Sequence, residues 1–429
     1  MKKAVVIGSS MGGLIAAAVA ARHFGQVALI DKERIPPEPE PRKSVPQGRH
    51  VHALLKSGDL FLSELFPEFH KAALQAGCLE FRVRSQWRTY GPRGWIEPVD
   101  IGLTALSQTR PLIEHVVRGF VDCLDNVESV QGTVAEIMGS DTATGVMLTD
   151  GSVLSADLTI DASGRGGGTE KWLRAMTGLS VPVDEYAAQI HYASALFSRQ
   201  IDSGPDFGGW LMFTPAPARN GVVALPVENN LWLVTAYTRL GEPVPTNESE
   251  FHQFLRELPD PKIGQLIEGE TMVSPLSRYA IPKVAFRRFD TVSCNVPAGY
   301  VPLGDSIATF SPINAQGMSV AALQAKALDA TLTQYKQHAD WQKNVVREYV
   351  KAAAIPANWA WVLCQSLDSG FDELQGHLDL AAVELAQSIK QVAQHSAAKP
   401  DLIGAMGRAL HLLESPDVFV ENVREILAN

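Results

Sequence analysis

The stretch Val5–Ala18, which reads VVIGSSMGGLIAAA, decides the fold of this chain. It joins a short apolar run, a glycine-containing turn and an alanine-rich segment, a pattern typical of a buried strand that leads into a helix. Gly8 and Gly13 occupy the first and third positions of the G-x-G-x-x-G signature, and the small Ser10 occupies the second. Asp31 ends the next apolar run, 23 residues after Gly8. The spacing predicts a strand–helix–strand unit that binds the pyrophosphate and ribose of a dinucleotide.

Composition sets the broad class of protein. The chain has 429 residues, of which 46% are hydrophobic and 20% charged, as in ordinary globular proteins of two or three domains. A net charge of −10 argues against a nucleic-acid or anionic-membrane partner. The four cysteines lack the spacing of a disulfide framework or a metal site. We therefore expect a cytoplasmic protein with no metal and no membrane-spanning segment.

The remaining sequence predicts several further elements. The proline-rich stretch 35–41 cannot be helical, whereas Thr109–Phe120 reads as a helix with Pro111 in its first turn. The segments that predict strands are Leu158–Ile160, which ends at Asp161, and an alternating group, Ile190–Phe197, Trp210–Phe213, Gly221–Leu225 and Leu231–Tyr237. A long helix is expected to begin near Gln316, and apolar residues recur at helical spacing from about residue 340 to the end.

Glycine and acidic residues mark three predicted strand ends. They are the turn Gly8–Gly13, the segment Asp161–Gly164, and Gly304-Asp305 followed by Gly317 at a helix start. A flavin dinucleotide is long, so separate loops must hold its phosphates, its ribityl chain and its ring. The three turns together therefore indicate such a ligand more specifically than any one of them.

On these motifs the chain resembles the FAD-dependent monooxygenases of the para-hydroxybenzoate hydroxylase fold, in the branch of the polyketide epoxidases, flavin halogenases and geranylgeranyl reductases. The resemblance covers about residues 1–330. It implies an α/β fold with a Rossmann-like FAD-binding domain of the GR2 type, an antiparallel-sheet substrate domain and a C-terminal helical segment. The expected divisions are FAD-binding parts 1–85, 109–180 and 291–338, substrate-domain strands 86–108, the substrate domain 181–290 and a helical region 339–429.

The resemblance also implies which residues hold FAD. Gly8, Ser10 and Gly13 would bind the pyrophosphate, Asp31 the adenosine ribose, and Asp305 the ribityl hydroxyls. Backbone N–H groups of the loop at 311–319 would line the pyrimidine edge of the flavin. The other expected FAD-binding residues are Met11, Gly12, Lys32, Gln47, Gly48, Arg110, Val134, Asp161, Gly164, Pro312, Gly317, Met318 and Ser319.

A hydrophobic substrate pocket is expected between the FAD domain and the antiparallel sheet. Trp210, Met212, Phe213, Trp232 and Tyr237 supply apolar surface there, although sheet core explains each single one of them better. His50 and His52 fall on one face of an extended segment. Without a third ligand in the sequence, they are better interpreted as packing or hydrogen-bonding residues than as a metal site.

The resemblance implies a chemistry that belongs mainly to the cofactor. FAD reduced by NADPH or NADH, directly or through a separate flavin reductase, would react with O2 to give a C4a-hydroperoxyflavin. This would hydroxylate or epoxidise an aromatic, polyketide-like or isoprenoid compound of secondary metabolism, so no side chain is predicted to be catalytic.

Three alternatives remain open at this stage. An alkene reductase uses the same framework. A flavin halogenase is less well supported, because Gly209–Pro215 only partly matches the Trp-x-Trp-x-Ile-Pro segment of that group. A non-catalytic flavoprotein that binds a partner through its C-terminal helices is the third.

Overall fold

The computed structural model describes residues 1–200, 208–396 and 398–429, with the side chains of 375–377 outside the description. Residues 201–207 fall within the expected substrate domain 181–290 and lie outside the described residues. In chain order, the strands are β1 Lys3–Ile7, β2 Gln26–Asp31, β3 Leu79–Arg82, β4 Trp87–Gly91, β5 Gly94–Trp95, β6 Thr104–Ser107, β7 Val127–Gln131, β8 Val134–Gly139, β9 Ala143–Leu148, β10 Val153–Ser155, β11 Leu158–Asp161, β12 Val183–Tyr186, β13 Ile190–Ser198, β14 Gly209–Phe213, β15 Asn220–Val227, β16 Leu231–Thr238, β17 Ser277–Ile281, β18 Val284–Arg287, β19 Tyr300–Pro302 and β20 Ala308–Thr309.

The helices are distributed along the whole chain and dominate its last quarter. They are α1 Met11–His23, α2 Lys56–Leu65, α3 Phe69–Gln75, α4 Arg110–Asp122, α5 Thr169–Thr177, α6 Glu248–Arg256, α7 Lys262–Leu266, α8 Gly317–Tyr335, α9 Trp341–Asp368, α10 Leu380–His395, α11 Asp401–Leu410 and α12 Pro416–Ala428. Short 3₁₀ turns cover Pro46–Arg49, Gly304–Ser306, Pro312–Asn314 and Asp372–His377. Across the described ranges, none of the helices combines the length and apolar character needed to cross a bilayer.

A five-stranded parallel sheet forms the first layer, in the order β19-β11-β1-β2-β7. Its central strands are apolar along their length because helices cover both faces of such sheets. Helix α1 is rich in glycine and alanine and is buried from Met11 to Ala20 except at Gly12, so it packs closely against β1, β2 and α8. The predicted strand–helix–strand unit is therefore confirmed.

A seven-stranded sheet forms the second layer, in the order β17-β13-β16-β15-β14-β4-β5. Asn229 and Asn230 connect β15 to β16 with positive φ angles of 60° and 54°, a turn that suits the twist of an antiparallel hairpin. The four alternating segments predicted from the sequence coincide with β13 to β16. Smaller sheets join β8, β9 and β10, β12, β18 and β20, and β3 with β6.

Successive side chains of each strand point to opposite faces of this second sheet, and the two faces contact different parts of the chain. Its helix-facing face packs on α6 and α7 and includes Trp232 and Val234. Its loop-facing face includes Ser194 and Thr235, which contact the chain at His50 and Val51.

The C-terminal region is helical, as predicted. Helix α9 contacts α8 and β19, and the hydroxyl of Tyr349 donates to the carbonyl oxygen of Pro302 at 2.8 Å. Helices α10 to α12 form a separate core with the last part of α9, built around Leu363, Leu385 and Phe419.

Candidate cofactor and substrate site

The carboxyl ends of three parallel strands meet at one edge of the first sheet. The N–H of Ala162 donates to Ile7 O at 3.0 Å, and the N–H of Leu303 donates to Asp161 O at 2.9 Å. Gly8 has a φ of +96°, and a Cβ on it would lie 2.5 Å from the carbonyl oxygen of Ala162. The three glycine- and acid-containing turns of the sequence are therefore neighbours, at the edge where open α/β sheets bind their ligands.

Two helix N-termini point their backbone N–H groups into this region without a side-chain cap. Ser10 precedes α1 and Gln316 precedes α8, and neither side chain accepts a bond from its own helix. A Cβ on Gly12 would lie 3.2 Å from Leu303 and 3.7 Å from Ala321 of α8, so the two helix starts lie near each other. Uncapped N–H groups and the positive ends of two helix dipoles favour an anionic ligand.

Asp305 lies in the same recess and is only partly buried. Burial raises the pKa of this carboxyl group, although the charges of Arg165, Arg110 and Arg287 act in the opposite direction. Within the described ranges, no hydrogen bond to the carboxylate itself is formed. A Cβ on Gly317 would lie 3.9 Å from Asp305 Oδ1, with no other described heavy atom within 4 Å outside its own helix. There is thus open space beside a carboxylate that has no partner among the described residues.

A buried charge cluster lies directly behind the start of α1. Its carboxylates are Asp31 and Glu114, and its guanidinium groups are Arg42, Arg110 and Arg118. Arg42 bridges the two acids, with Nη1 2.9 Å from Asp31 Oδ2 and Nη2 2.5 Å from Glu114 Oε1. Burial alone would raise the pKa of Glu114, but the charges of Arg110 and Arg42 outweigh it and lower that pKa. The cluster holds three cations and two anions, an excess positive charge suited to a diphosphate.

Arg110 connects this cluster to the glycine turn. Its Nη2 donates to Ser10 Oγ at 2.7 Å, and Ser10 Oγ donates to Glu114 Oε2 at 2.7 Å. Ser10 therefore faces the cluster rather than its own helix. The sequence predicted Arg110 and Ser10 at one site, and the structure brings them into direct contact.

The carboxylates of Asp31 and Asp161 are occupied by partners within the chain. Asp31 accepts from Ser9 Oγ at 2.5 Å and from Arg42. Asp161 is fully buried and accepts from Thr169 Oγ1 at 2.6 Å and Tyr300 OH at 2.7 Å. Asp161 thus fixes the turn at its strand end, where the resemblance implied contact with a ligand.

Ser319 and the methionines are also engaged within the protein. Ser319 Oγ accepts from the N–H of Leu55 at 3.0 Å, which joins α8 to the 50–55 segment. Met11 and Met318 are buried in the core behind the two helix starts. These three side chains shape the site from behind.

The other predicted FAD-binding residues surround the recess to different degrees. Gly48 is buried, and a Cβ on it would lie 3.7 Å from Arg110 Cγ. Val134 begins β8 two residues after Gly132, whose N–H donates to Asp31 O at 2.8 Å. Gln47, Gly164 and Pro312 are partly exposed, and Lys32 is exposed.

Three buried polar residues near these elements lack partners for some of their atoms, and one of them, Gln108, was missed by the sequence analysis. Neither side-chain atom of Gln108 has a partner among the described residues, and the same is true of Ser311 Oγ and Gln316 Nε2. Gln108 immediately precedes the α4 N-cap, and the other two flank the loop before α8. Buried polar atoms without partners are costly, so they indicate a ligand at this position. For Gln108, the sequence offered only its position two residues before Arg110 as a signal.

His50 belongs to a chain of hydrogen bonds rather than to a metal site. Its Nδ1 lies 2.7 Å from Ser194 Oγ, which lies 2.7 Å from Thr235 Oγ1. Burial, with a smaller effect of Arg49, lowers the pKa of His50 to about 4, and burial lowers that of His52 to about 3. Both rings are therefore neutral near pH 7. The described part of the chain contains no cluster of three or more His, Cys, Asp or Glu arranged to hold a metal ion.

The predicted substrate residues fall on both faces of the second sheet. Met212 and Trp232 are buried on the helix-facing face and Trp210 packs against the same core, whereas Tyr237 lies on the loop-facing face. The first three therefore belong to the sheet core, the interpretation that the sequence favoured for each of them. Strand alternation and register place Phe213, also offered by the sequence, on the loop-facing face together with Leu211, Val223, Leu225 and Leu233.

A cavity of about 840 Å³ lies elsewhere, lined by residues that include Thr142, Ala298 and Lys343. It is at the edge where β11 and β19 begin, opposite the turns described above. Ligands of open α/β sheets bind at the other edge. We therefore do not place the functional site in this cavity.

The fold is that of flavin-dependent oxygenases and halogenases. The flavin-dependent brominase Bmp2 superposes with a TM-score of 0.72 at 13% identity and covers 98% of both chains. 2-Methyl-3-hydroxypyridine-5-carboxylic acid oxygenase superposes with a TM-score of 0.64 at 15% identity, over 90% of this chain and 96% of the oxygenase. PqsL from Pseudomonas aeruginosa, described as a probable FAD-dependent monooxygenase, gives 0.63 at 15% identity, over 88% and 99%. The fold that the sequence resemblance implied is confirmed.

In sequence, the chain is similar to Protein Rv3254 of Mycobacterium tuberculosis (strain ATCC 25618 / H37Rv). The two are 29% identical over 347 residues, which span 77% of this chain and 72% of the relative. No protein-family model matches the chain.

Proposed function

We propose that this chain is an FAD-dependent monooxygenase that hydroxylates or epoxidises a hydrophobic small molecule. One observation carries the proposal: two uncapped helix N-termini converge near the carboxylate of Asp305, which has no partner in the described ranges, and near unpaired polar atoms on Ser311 and Gln316. Anionic and hydroxyl groups of one elongated ligand would satisfy these donors and this acceptor. The fold shared with flavin-dependent enzymes supports the same assignment.

The residues present fit FAD. The N–H groups at the start of α1 and the guanidinium of Arg110 would hold the diphosphate, and Asp305 would accept from ribityl hydroxyls. The segment 312–318, with the start of α8, would face the pyrimidine edge of the flavin. Asp31 and Arg42 would close the adenosine end, and Gln108 is a further polar contact that we add to the predicted set.

When bound and reduced, FAD supplies the oxygen-activating chemistry. The chain's own contribution is to bind, orient and exclude water. The positive end of the α8 dipole stabilises negative charge near residues 312–318. His50, neutral and held by Ser194, closes the loop-facing face without adding a charge. Leu211, Phe213 and Leu233 make that face apolar, which favours an aromatic, polyketide-like or isoprenoid substrate.

The proposed reaction needs a reductant and dioxygen. NADPH or NADH is the reductant, acting directly or through a separate flavin reductase, and O2 is the co-substrate. The protein is proposed to act in the cytoplasm and in secondary metabolism. The domain divisions predicted from the sequence stay part of this proposal.

A glycine substitution tests the cofactor site directly. Gly317→Val places a side chain in the open space beside Asp305, so we expect it to weaken FAD binding about tenfold or more. Gly119→Val is the matched control, because Gly119 is also helical and a Cβ on it would meet no described heavy atom within 4 Å outside its own helix. FAD titration by fluorescence quenching measures both variants. A wild-type protein that rejects FAD, or equal affinity of both variants, contradicts the proposed site.

Product analysis under labelled dioxygen separates the candidate reactions. Label retained in the product supports oxygenation, and a saturated product without label supports an alkene reductase.

A flavin halogenase is the second candidate, because the likeness to the brominase extends over 98% of this chain, including the C-terminal helices. Halide-dependent halogenated product would establish it. Absence of NAD(P)H oxidation across a broad compound set would favour a non-catalytic flavoprotein.

A further inference from the structure

Helix α9 runs along the back of the proposed site and presents one face to it. The hydroxyl of Tyr349 on this helix donates to Pro302 O, and Gln324 Nε2 of α8 donates to Ala353 O at 3.4 Å. The first half of α9 is thereby fixed to the strand and helix that flank Asp305. Its last turns, around Cys364 and Asp368, reach further toward the second sheet.

Cys364 is in contact with the loop that precedes α8. Its Sγ accepts from Asn314 Nδ2 at 3.2 Å and donates to Gln316 Oε1 at 3.2 Å. The thiol is fully buried, and burial raises the pKa of Cys364 to about 12, so the sulfur keeps the proton that it donates. The same Gln316 has its Nε2 buried without a partner in the described chain, which indicates that this loop is built toward a ligand.

Asp368 lies one helical turn after Cys364 and is in contact with the second sheet. Its carboxylate forms an ion pair with Arg239, which directly follows β16, and accepts from Tyr186 OH at 2.9 Å. The guanidinium of Arg239 also lies 5.9 Å from the ring centre of Tyr237 on the loop-facing face. The Asp368 side chain is only 1% exposed, so this pair is buried.

We propose that Cys364 and Asp368 are positioning residues that set the separation between the loop 311–317 and the loop-facing face of the second sheet. This inference rests on the proposed function, in which the loop faces the flavin and the sheet face meets the substrate. A helix rises about 1.5 Å per residue, so α9 fastens the two surfaces at contact points that lie about 6 Å apart along its axis. The C-terminal helices then set the geometry of the site instead of only covering it.

Substitutions at Cys364 test the first contact. Cys364→Val removes both hydrogen bonds and adds one methyl group, as the control Cys78→Val does, and Cys364→Ser keeps a donor and an acceptor. We expect Cys364→Val to weaken FAD binding about tenfold and to shift the flavin absorption spectrum and reduction potential, because the pyrimidine loop loses its support. Cys364→Ser should restore all three values toward wild type. Cys78→Val, at a buried thiol on the α3–β3 turn, is the control for burial alone.

Asp368 is tested together with Arg239 because one lone buried charge would strongly destabilise the fold. Asp368→Leu with Arg239→Met keeps the site apolar and packed, and the unfolding midpoint confirms that the variant is folded. We expect this double variant to shift the flavin reduction potential in the same direction as Cys364→Val does. When the double variant is combined with Cys364→Val, the total shift should be smaller than the sum of the two separate shifts.

The outcomes separate this inference from the proposed function. If the wild-type protein binds FAD and folded Cys364→Val shows the same flavin spectrum, reduction potential and affinity, the positioning role is overturned. The proposed function then still stands. Failure of every variant and of the wild type to bind FAD overturns both. Equal effects of Cys78→Val and Cys364→Val also overturn the positioning role, because burial alone would then explain them.

Discussion

At the scale of single residues, the site depends on charges that are buried and paired. Glu114 receives Arg42, Arg110 and Arg118, and its side chain is only 9% exposed. A buried ion pair adds little net stability, but removing one member leaves an uncompensated charge. The cluster therefore fixes the position of Arg110 and Ser10 at the start of α1. For the same reason, substitution of one of its charged residues destabilises the fold.

Glu114→Gln should consequently lower the free energy of unfolding by about 3–5 kcal/mol, since three guanidinium groups would lose the carboxylate that they share. Urea unfolding of the apoprotein measures the change. Glu64→Gln is the control, because Glu64 pairs with Lys326 at the surface and such pairs contribute about 1 kcal/mol or less. Similar decreases in the free energy of unfolding for both variants would contradict the structural role of the buried cluster.

At the scale of elements, the proposed function assigns stability to one face of the second sheet and substrate recognition to the other. Alternate residues of β14 point to opposite layers, so Met212 is buried against α6 and α7 whereas Phe213 is half-buried on the loop-facing face. Neighbouring residues of one strand therefore serve different purposes, and substitution of each should have a different effect.

We expect Met212→Ala to lower the free energy of unfolding by about 2–5 kcal/mol through the cavity it creates, with little change in substrate KM. Phe213→Ala should cost less stability, because Phe213 is only half-buried, and should raise the KM of whichever compound stimulates NAD(P)H oxidation. Unfolding curves and steady-state kinetics of the two variants provide the test. The reverse pattern would mean that the substrate binds on the helix-facing face.

At the scale of the whole molecule, buried histidines join separate layers. His50 joins the 46–52 segment to the second sheet, and His411 joins the C-terminal helices to α2 by accepting from the N–H of Lys56 at 3.1 Å. Burial lowers the pKa of each to about 4, with smaller effects of Arg49 on His50 and of Lys56 on His411. Protonation of His411 Nδ1 would remove its contact with α2.

Acid should therefore loosen the contacts between layers. Between about pH 6.5 and 4 the unfolded chain binds more protons than the folded chain, so the free energy of unfolding falls as pH falls, by about 3 kcal/mol per histidine. His411→Asn, whose amide oxygen can still accept from Lys56, should flatten the plot of unfolding midpoint against pH. His338→Asn, at an exposed position, should leave it unchanged. An equally steep plot for His411→Asn would contradict this origin of acid sensitivity.

The sequence by itself determined the local elements and the place of the site along the chain. Val5–Ala18 specified a strand, a turn and a helix, and Asn229-Asn230 specified a hairpin, because apolar periodicity and positive-φ turns depend only on neighbouring residues. The three glycine- and acid-containing turns were also readable, since each ends a strand whose pattern is local.

Only the tertiary structure decided which groups face the ligand. Alternation divides β14 and β16 into two sets of side chains, but the layer that covers each set comes from distant segments, so the sequence left Trp210, Met212 and Trp232 between a pocket and the sheet core. Likewise, Asp161 is occupied by Tyr300, whereas the Asp305 carboxylate has no partner in the described part of the chain, a difference set by residues far away in the sequence. The burial and the pairing of a side chain depend on the layers packed around it, so they cannot be predicted from one segment of the sequence.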